Sequence, residues 1–207
     1  HTIEDVAETA DGSPLWFQLY WSSLRDLNES LIRRAEEAGY EAVVVTLDTP
    51  LMGWRPRDLE NGYFPFLEGE GLANYTSDPV FRDELDTLPE ESMDETIELF
   101  IDVFSNPAAD WADLETLAQT TDLPFLVKGV LHPDDAQQAL DHGVDGIVVS
   151  NHGGRQVDGA VGALEQLPAV VDAVGDDADI LFDSGIRRGA DALKALALGA
   201  DAVLFGR

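Results

Sequence analysis

His142-Gly143-Val144-Asp145-Gly146-Ile147-Val148-Val149-Ser150-Asn151-His152-Gly153-Gly154-Arg155-Gln156 is the stretch on which the reading of the fold turns. Gly146-Ile147-Val148-Val149 is a short apolar run and reads as a buried strand. The polar segment after it therefore sits where the strand ends. Before it, His142-Gly143 marks a helix stop. The same pattern recurs in Ala38-Gly39-Tyr40-Glu41-Ala42-Val43-Val44 and in Leu198-Gly199-Ala200-Asp201-Ala202-Val203-Leu204. Each is a helix end, a Gly, two linking residues and an apolar strand. A repeating β–α unit implies a parallel sheet.

Working outward, residues 124–130 read as a strand carrying Lys128, and 133–143 as a helix. Beyond the quoted stretch the alternation continues with a helix over 163–174, a strand over 179–183, a helix over 189–198 and a strand over 202–205. Toward the N-terminus lie a strand over 42–48, an amphipathic helix over 27–38, an aromatic-rich strand over 15–21 and a short helix over 2–10. In the first strand Gln18 and Tyr20 alternate and so share a face. Residues 49–121 break the rhythm: they hold several Gly and Pro, a helix over 94–104 and another starting near Trp111. A connection this long is usually functional, often a cover over an active site.

Six uniformly apolar strands with polar C-terminal ends suit a (β/α)8 TIM barrel, whose sites lie at those ends. Such barrels run to about 250 residues. The expectation is a single α/β domain over 1–207, a partial barrel with about six of eight strands. The first two β–α units and the closing helix would lie outside this chain. A doubly wound open sheet is the alternative, but no Gly-x-Gly-x-x-Gly follows an early strand.

The 207 residues include 41 acidic against 12 basic ones, a net charge of −29. Ten of the twelve are Arg, with only Lys128 and Lys194 as Lys. The acid is spread along the chain beside an ordinary apolar content of 44%. That pattern fits a surface built for high salt, where screening removes self-repulsion, and implies a halophilic source. No basic stripe exists to neutralise phosphates, so nucleic acid is excluded as a partner. There is no Cys, hence no thiolate chemistry, and no metal centre is expected. No run approaches the ~18 apolar residues of a membrane span, and no signal peptide is visible, which favours the cytoplasm.

Polar residues gather at the strand ends: Gln18 and Tyr20, Thr46 and Asp48, Lys128, His152 and Arg155, then Asp183 and Arg187. So many polar groups at one face cost free energy unless a ligand or mutual hydrogen bonds satisfy them. His152 offers a proton acceptor near neutral pH and Arg155 a planar cation suited to a carboxylate. Asp48 near His152 would stabilise an imidazolium. Asp183-Ser184-Gly185-Ile186-Arg187-Arg188-Gly189 has the make-up of a phosphate site, with Gly206-Arg207 completing it. Blander readings stand beside each: a His-Gly-Gly turn is equally a plain loop, Arg55 a solvated charge, Tyr20 a core tyrosine.

Together these segments resemble the FMN-dependent α-hydroxy-acid oxidases and dehydrogenases. The resemblance runs in order through Phe17-Gln18-Leu19-Tyr20, Thr46-Leu47-Asp48-Thr49-Pro50, Lys128-Gly129, Ser150 to Gln156, Asp183-Ser184-Gly185-Ile186-Arg187 and Gly206-Arg207. Within the family, Gly53-Trp54-Arg55-Pro56-Arg57, Phe64-Pro65-Phe66-Leu67, Asn74-Tyr75 and Asp78-Pro79-Val80-Phe81 are most similar to the lactate 2-monooxygenase subgroup.

The resemblance implies roles. His152 would be the base, supported by Asp48. Arg155 and Arg55 would clamp the carboxylate, and Tyr20 would hydrogen-bond the substrate. Gln18, Thr46, Lys128 and Ser150 would face the flavin ring. Asp183, Gly185, Arg187, Gly206 and Arg207 would hold the ribityl phosphate. It also implies FMN, a small 2-hydroxy-acid substrate such as L-lactate, O2 or another electron acceptor, and a homotetramer. The expected reaction is oxidative decarboxylation to acetate, CO2 and water. Release of the 2-keto acid by a plain oxidase or dehydrogenase is the alternative. An FMN-dependent isomerase and a non-catalytic flavin-binding fragment are the remaining readings.

Overall fold

The computed structural model describes residues 1–206. In chain order the elements are α1 (Ile3–Ala10), β1 (Trp16–Tyr20), α2 (Arg25–Glu37), β2 (Ala42–Thr46), α3 (Pro56–Asn61), a 3-10 turn (Pro65–Glu68), α4 (Ala73–Thr76), α5 (Pro79–Asp83), α6 (Met93–Val103) and α7 (Trp111–Ala118). There follow β3 (Phe125–Val130), α8 (Pro133–Asp141), β4 (Gly146–Val149), a 3-10 turn (His152–Gly154), α9 (Ala163–Val174), β5 (Asp179–Phe182), α10 (Gly189–Ala197) and β6 (Ala202–Val203). All six strands are parallel and neighbour one another in sequence order, β1 to β6. A doubly wound sheet reverses its strand order partway across. This one does not, so the partial barrel is the architecture and the open-sheet alternative falls.

Alternation along the strands divides the apolar side chains between two faces. Phe17, Leu19, Val43, Val45, Val127 and Ile147 point outward and pack against the helices in one continuous core. Ala42, Val44, Leu126, Val148 and Leu181 form a second, small cluster on the inner face. Toward the C-terminal strand ends the inner face turns polar. Tyr20 pairs in register with Thr46, and Thr46 with Lys128, so three polar side chains stand in a row across β1, β2 and β3. The β3–β4 register then slips between Lys128 and Val130. Val127 and Val130, three positions apart, both reach the outer core; the slip reverses the side-chain alternation just after the lysine.

Several strands end sooner than the sequence pattern indicates. The ladder of β5 stops at Phe182 rather than 183, and that of β6 at Val203 rather than 205. One further backbone hydrogen bond follows each ladder, from the Asp183 N–H to the Val149 carbonyl and from the Leu204 N–H to the Phe182 carbonyl, both at 2.9 Å. The long connection between β2 and β3 holds five helices and a 3-10 turn, not the two helices that its periodicity reveals. The additional ones are four to six residues long, too short to show a period. Two of them, α3 and α5, start at a Pro, where the missing N–H is no loss. The connection is fixed to the barrel by Asp78, which is fully buried and accepts from Ser30 Oγ at 2.9 Å, Arg34 Nη1 at 3.0 Å and the Val80 N–H at 2.9 Å. Among the described residues, no helix is long and apolar enough to cross a membrane.

Candidate active site

The inner polar row opens onto the C-terminal strand ends. Gln18 Nε2 donates to Thr46 Oγ1 at 2.9 Å. Lys128, 7% exposed, donates to Ser150 Oγ at 3.1 Å and pairs with Asp183 Oδ2 at 3.0 Å. Ser150 Oγ in turn donates to Asp183 Oδ2 at 2.9 Å. Burial alone would raise the Asp183 carboxyl. The charge of Lys128, with hydrogen bonds from Lys128, Ser150 and the Ser184 N–H, outweighs it and holds Asp183 below the usual carboxylate range. Asp183 is thereby tied to Lys128 and Ser150.

His152 stands on a 3-10 turn just beyond β4, and its φ is +57°. Asn151 caps the turn, its Oδ1 accepting from the Gly154 N–H at 3.1 Å. The imidazole Nδ1 lies 3.0 Å from Asp48 Oδ1. With the Nδ1–H donated to the carboxylate, Nε2 is the nitrogen left to accept a proton. Asp48 reaches this position because residue 129 is glycine. At Gly129, φ is +105°, and a Cβ there would stand 2.7 Å from Asp48 Cγ. Tyr20 packs against Phe104, with ring centroids 5.4 Å apart, and faces the His152 ring at 6.5 Å.

The start of the long connection closes over this turn. Gln156 Nε2 donates to the backbone carbonyls of Asp48 at 3.0 Å and Leu51 at 2.9 Å. Gln156 Oε1 accepts from Arg55 Nη2 at 3.3 Å. Gly53 lies so close that an added Cβ would overlap the Arg155 carbonyl. Arg55 is thus drawn beside the histidine loop from a hundred residues away. Arg155 is exposed, and its Nη1 donates to the Gly153 carbonyl at 2.9 Å. Two buried polar atoms here, Asp48 Oδ2 and Arg55 Nε, have no hydrogen-bond partner among the described residues.

Gly185, at φ +83°, and the exposed Arg187 lie in the turn from β5 to α10. A Cβ built on Gly185, Gly189 or Gly206 would meet nothing within 4 Å. Arg207 lies outside the described residues.

The structure thus joins Tyr20, Asp48, Arg55 and His152 in one place and Gln18, Thr46, Lys128, Ser150 and Asp183 in another beside it. Sequence reasoning passed over Gln156, Ser184 and Gly129. Each lies inside a segment already singled out. Their importance comes from contacts with the other segments, which spacing along the chain does not show.

An arrangement of a base, a carboxylate behind it, two arginines and a buried lysine can bind an organic acid and move its proton. The chain has relatives among known proteins. The chain is 48% identical to an L-lactate oxidase of Lysinibacillus sphaericus over 207 residues, all of this chain and 53% of that protein. It is 46% identical to a 4-hydroxymandelate oxidase of Amycolatopsis orientalis, over all of this chain and 55% of that one. Among solved structures, mandelate oxidase superposes with a TM-score of 0.78 at 41% identity, covering 99% of this chain and 53% of the other. The chain spans about half the length of the relatives it matches. The model of the FMN-dependent dehydrogenases matches residues 1–207, and the chain belongs to that FMN-dependent family.

Proposed function

We propose that the protein containing this chain oxidises a small L-2-hydroxy acid, L-lactate in the first instance, at the site around His152. The observation that carries this reading is the pairing of His152 Nδ1 with Asp48, which leaves Nε2 as a base beside Tyr20 and the arginine-bearing segments. FMN, when bound, supplies the two-electron acceptor. The residues fit it: Lys128 has a third N–H beyond its bonds to Ser150 and Asp183, and Gln18, Thr46 and Ser150 offer polar edges next to it. The open space around Gly185, Gly189 and Gly206, with Arg187, suits the cofactor's phosphate.

In this reading Arg55 and Arg155 hold the substrate carboxylate, and the buried Arg55 Nε, without a partner in the protein, is one of the donors. Tyr20 hydrogen-bonds the substrate. His152 Nε2 takes its proton, and Asp48 stabilises the resulting imidazolium. Lys128 sets its positive charge where electron density accumulates.

The fate of the 2-keto acid is the finer part of the proposal. A long connection tied down by Gln156 supports retention of the product and its decarboxylation to acetate, CO2 and water with O2 as acceptor. The likeness to a protein named L-lactate oxidase favours the second reading, release of the keto acid. The net charge of −29 supports placing the activity at high salt.

The test uses the protein with whatever its gene encodes on either side of this chain, loaded with FMN in multimolar salt. Anaerobic L-lactate is expected to bleach the oxidised-flavin absorbance, and His152→Gln to slow the bleaching about 10²–10⁴-fold while keeping the flavin. A flavin that no 2-hydroxy acid bleaches would sink the proposal. Acetate as the aerobic product supports retention; pyruvate supports release.

A further inference from the structure

Two non-glycine residues of the site have positive φ: His152 at +57° and Ser184 at +98°. The first value lies in the small left-handed basin that L residues occasionally enter; the second lies beyond it, where glycine alone is at ease. A serine kept there must be held by its surroundings, and such strain gathers at functional sites.

The surroundings are specific. The Ser184 N–H donates to Asp183 Oδ1 at 2.7 Å. The Ser184 hydroxyl oxygen accepts from the Asn151 N–H at 3.1 Å and the Gly153 N–H at 3.0 Å, the two amides that flank His152. The amide of His152 itself donates to Ser150 Oγ at 3.0 Å. Three successive amides of the histidine turn therefore end on two serine hydroxyls. Those hydroxyls lie 3.3 Å apart, and Ser150 already donates to Asp183. Through its own N–H on Asp183 and its hydroxyl on the two amides, Ser184 connects the Lys128–Asp183 pair to the histidine turn. Glycine at 184 would relax the backbone but leave the Asn151 and Gly153 amides without their acceptor.

We propose that Ser184 is a positioning residue for His152: its strained backbone puts a hydroxyl where it fixes both amides around the base, and so holds the imidazole against Asp48 and Tyr20. The activity arm of its test rests on the proposed hydroxy-acid oxidation; the other arms do not.

The experiment compares Ser184→Gly and Ser184→Ala with the unsubstituted FMN-loaded protein, by melting temperature, amide hydrogen exchange and steady-state kinetics. Both variants are expected to lose exchange protection at Asn151 and Gly153 and to show kcat about tenfold lower, as both amides beside the reacting base lose their acceptor, with KM changed far less. Ser184→Gly is expected to keep or raise the melting temperature because strain is relieved, whereas Ser184→Ala keeps the strain and lowers it. Unchanged protection at these amides, kcat within twofold in either variant, or equal melting-temperature losses in both would overturn the proposal. If the unsubstituted protein oxidises no 2-hydroxy acid, the proposed function fails, and exchange and melting still decide the role of Ser184.

Discussion

Two buried ion pairs, Arg34–Asp78 and Lys128–Asp183, share a length of 3.0 Å and differ in almost everything around them. Arg34 spends its donors completely within the protein: Nε and Nη2 on Glu4, Nη1 on Asp78 and the Asn74 carbonyl, Nη2 again on Ser77. Asp78 likewise has three donors. Among the described residues Lys128 keeps one N–H uncommitted, and the nearby Asp48 Oδ2 and Arg55 Nε have no partner. The first pair closes a joint between α2 and the long connection. The second is left incomplete where a ligand would finish it. Satisfaction, not burial or charge, separates a structural ion pair from a functional one.

The contrast can be broken in order of expected effect. Asp78→Ala removes one partner of a buried pair and the cap of α5 together. It is expected to cost about 3–5 kcal/mol of stability, measured by denaturant unfolding, with the FMN site's chemistry intact in the folded fraction. Lys128→Met is expected to do the reverse. Flavin reduction should slow about 10²–10³-fold, or roughly 2.7–4 kcal/mol, with a smaller stability loss because Asp183 keeps Ser150 and the Ser184 N–H. If Lys128→Met unfolds the protein as readily as Asp78→Ala, the two pairs are alike and the contrast fails.

Gly129→Ala tests the site from outside the ion pair. Its positive φ and the 2.7 Å approach to Asp48 predict strain of about 1–3 kcal/mol and displacement of the carboxylate from His152. A melting curve together with the rate of flavin reduction reads both effects, and the rate should fall further than a mere stability change explains.

The smallest effect is acid dependence. Arg34 lowers the Glu4 carboxyl to about 2, chiefly through its hydrogen bonds, and Asp183 is also lowered. Both groups have folded pKa values below their unfolded ones. Their contribution is therefore complete above the unfolded pKa of about 4 and lost as pH falls through the folded value. For Glu4 that window runs from about 4 down to about 2. Its half-exposed pair is expected to contribute only ~0.2–1 kcal/mol. Glu4→Gln should flatten the melting temperature against pH in that range, and an unaltered slope would assign the acid loss elsewhere.

Most of the barrel was legible because its strands are apolar throughout and each follows a Gly-stopped helix; residues 38–44, 142–148 and 198–204 carry this almost unaided. The site residues were legible as types at strand ends. The pairings among them were not. Nothing local says that Asp183 turns to Lys128, that Gln156 reaches back to Leu51, or that Ser184 caps the amides of Asn151 and Gly153. Those contacts come from strands side by side in the sheet but tens of residues apart in the chain. The short helices after β2 stayed hidden for a different reason: they are shaped by proline starts and by Asp78, not by an apolar period.

The slipped register at Gly129 bears on how this sequence can change length. Ahead of it, inward and outward positions alternate strictly; behind it, the order is inverted, with Val130 restored to the outer core. Deleting residue 129 would therefore do more than shorten a loop. It would remove the slip, leave Val130 facing the outer core as the residue next to Lys128, and take away the glycine whose missing Cβ admits Asp48. A single residue gained or lost ahead of Lys128 within the strand would instead turn the lysine away from the inner row, whereas the stretch from Leu51 onward can change length singly with no such parity to respect.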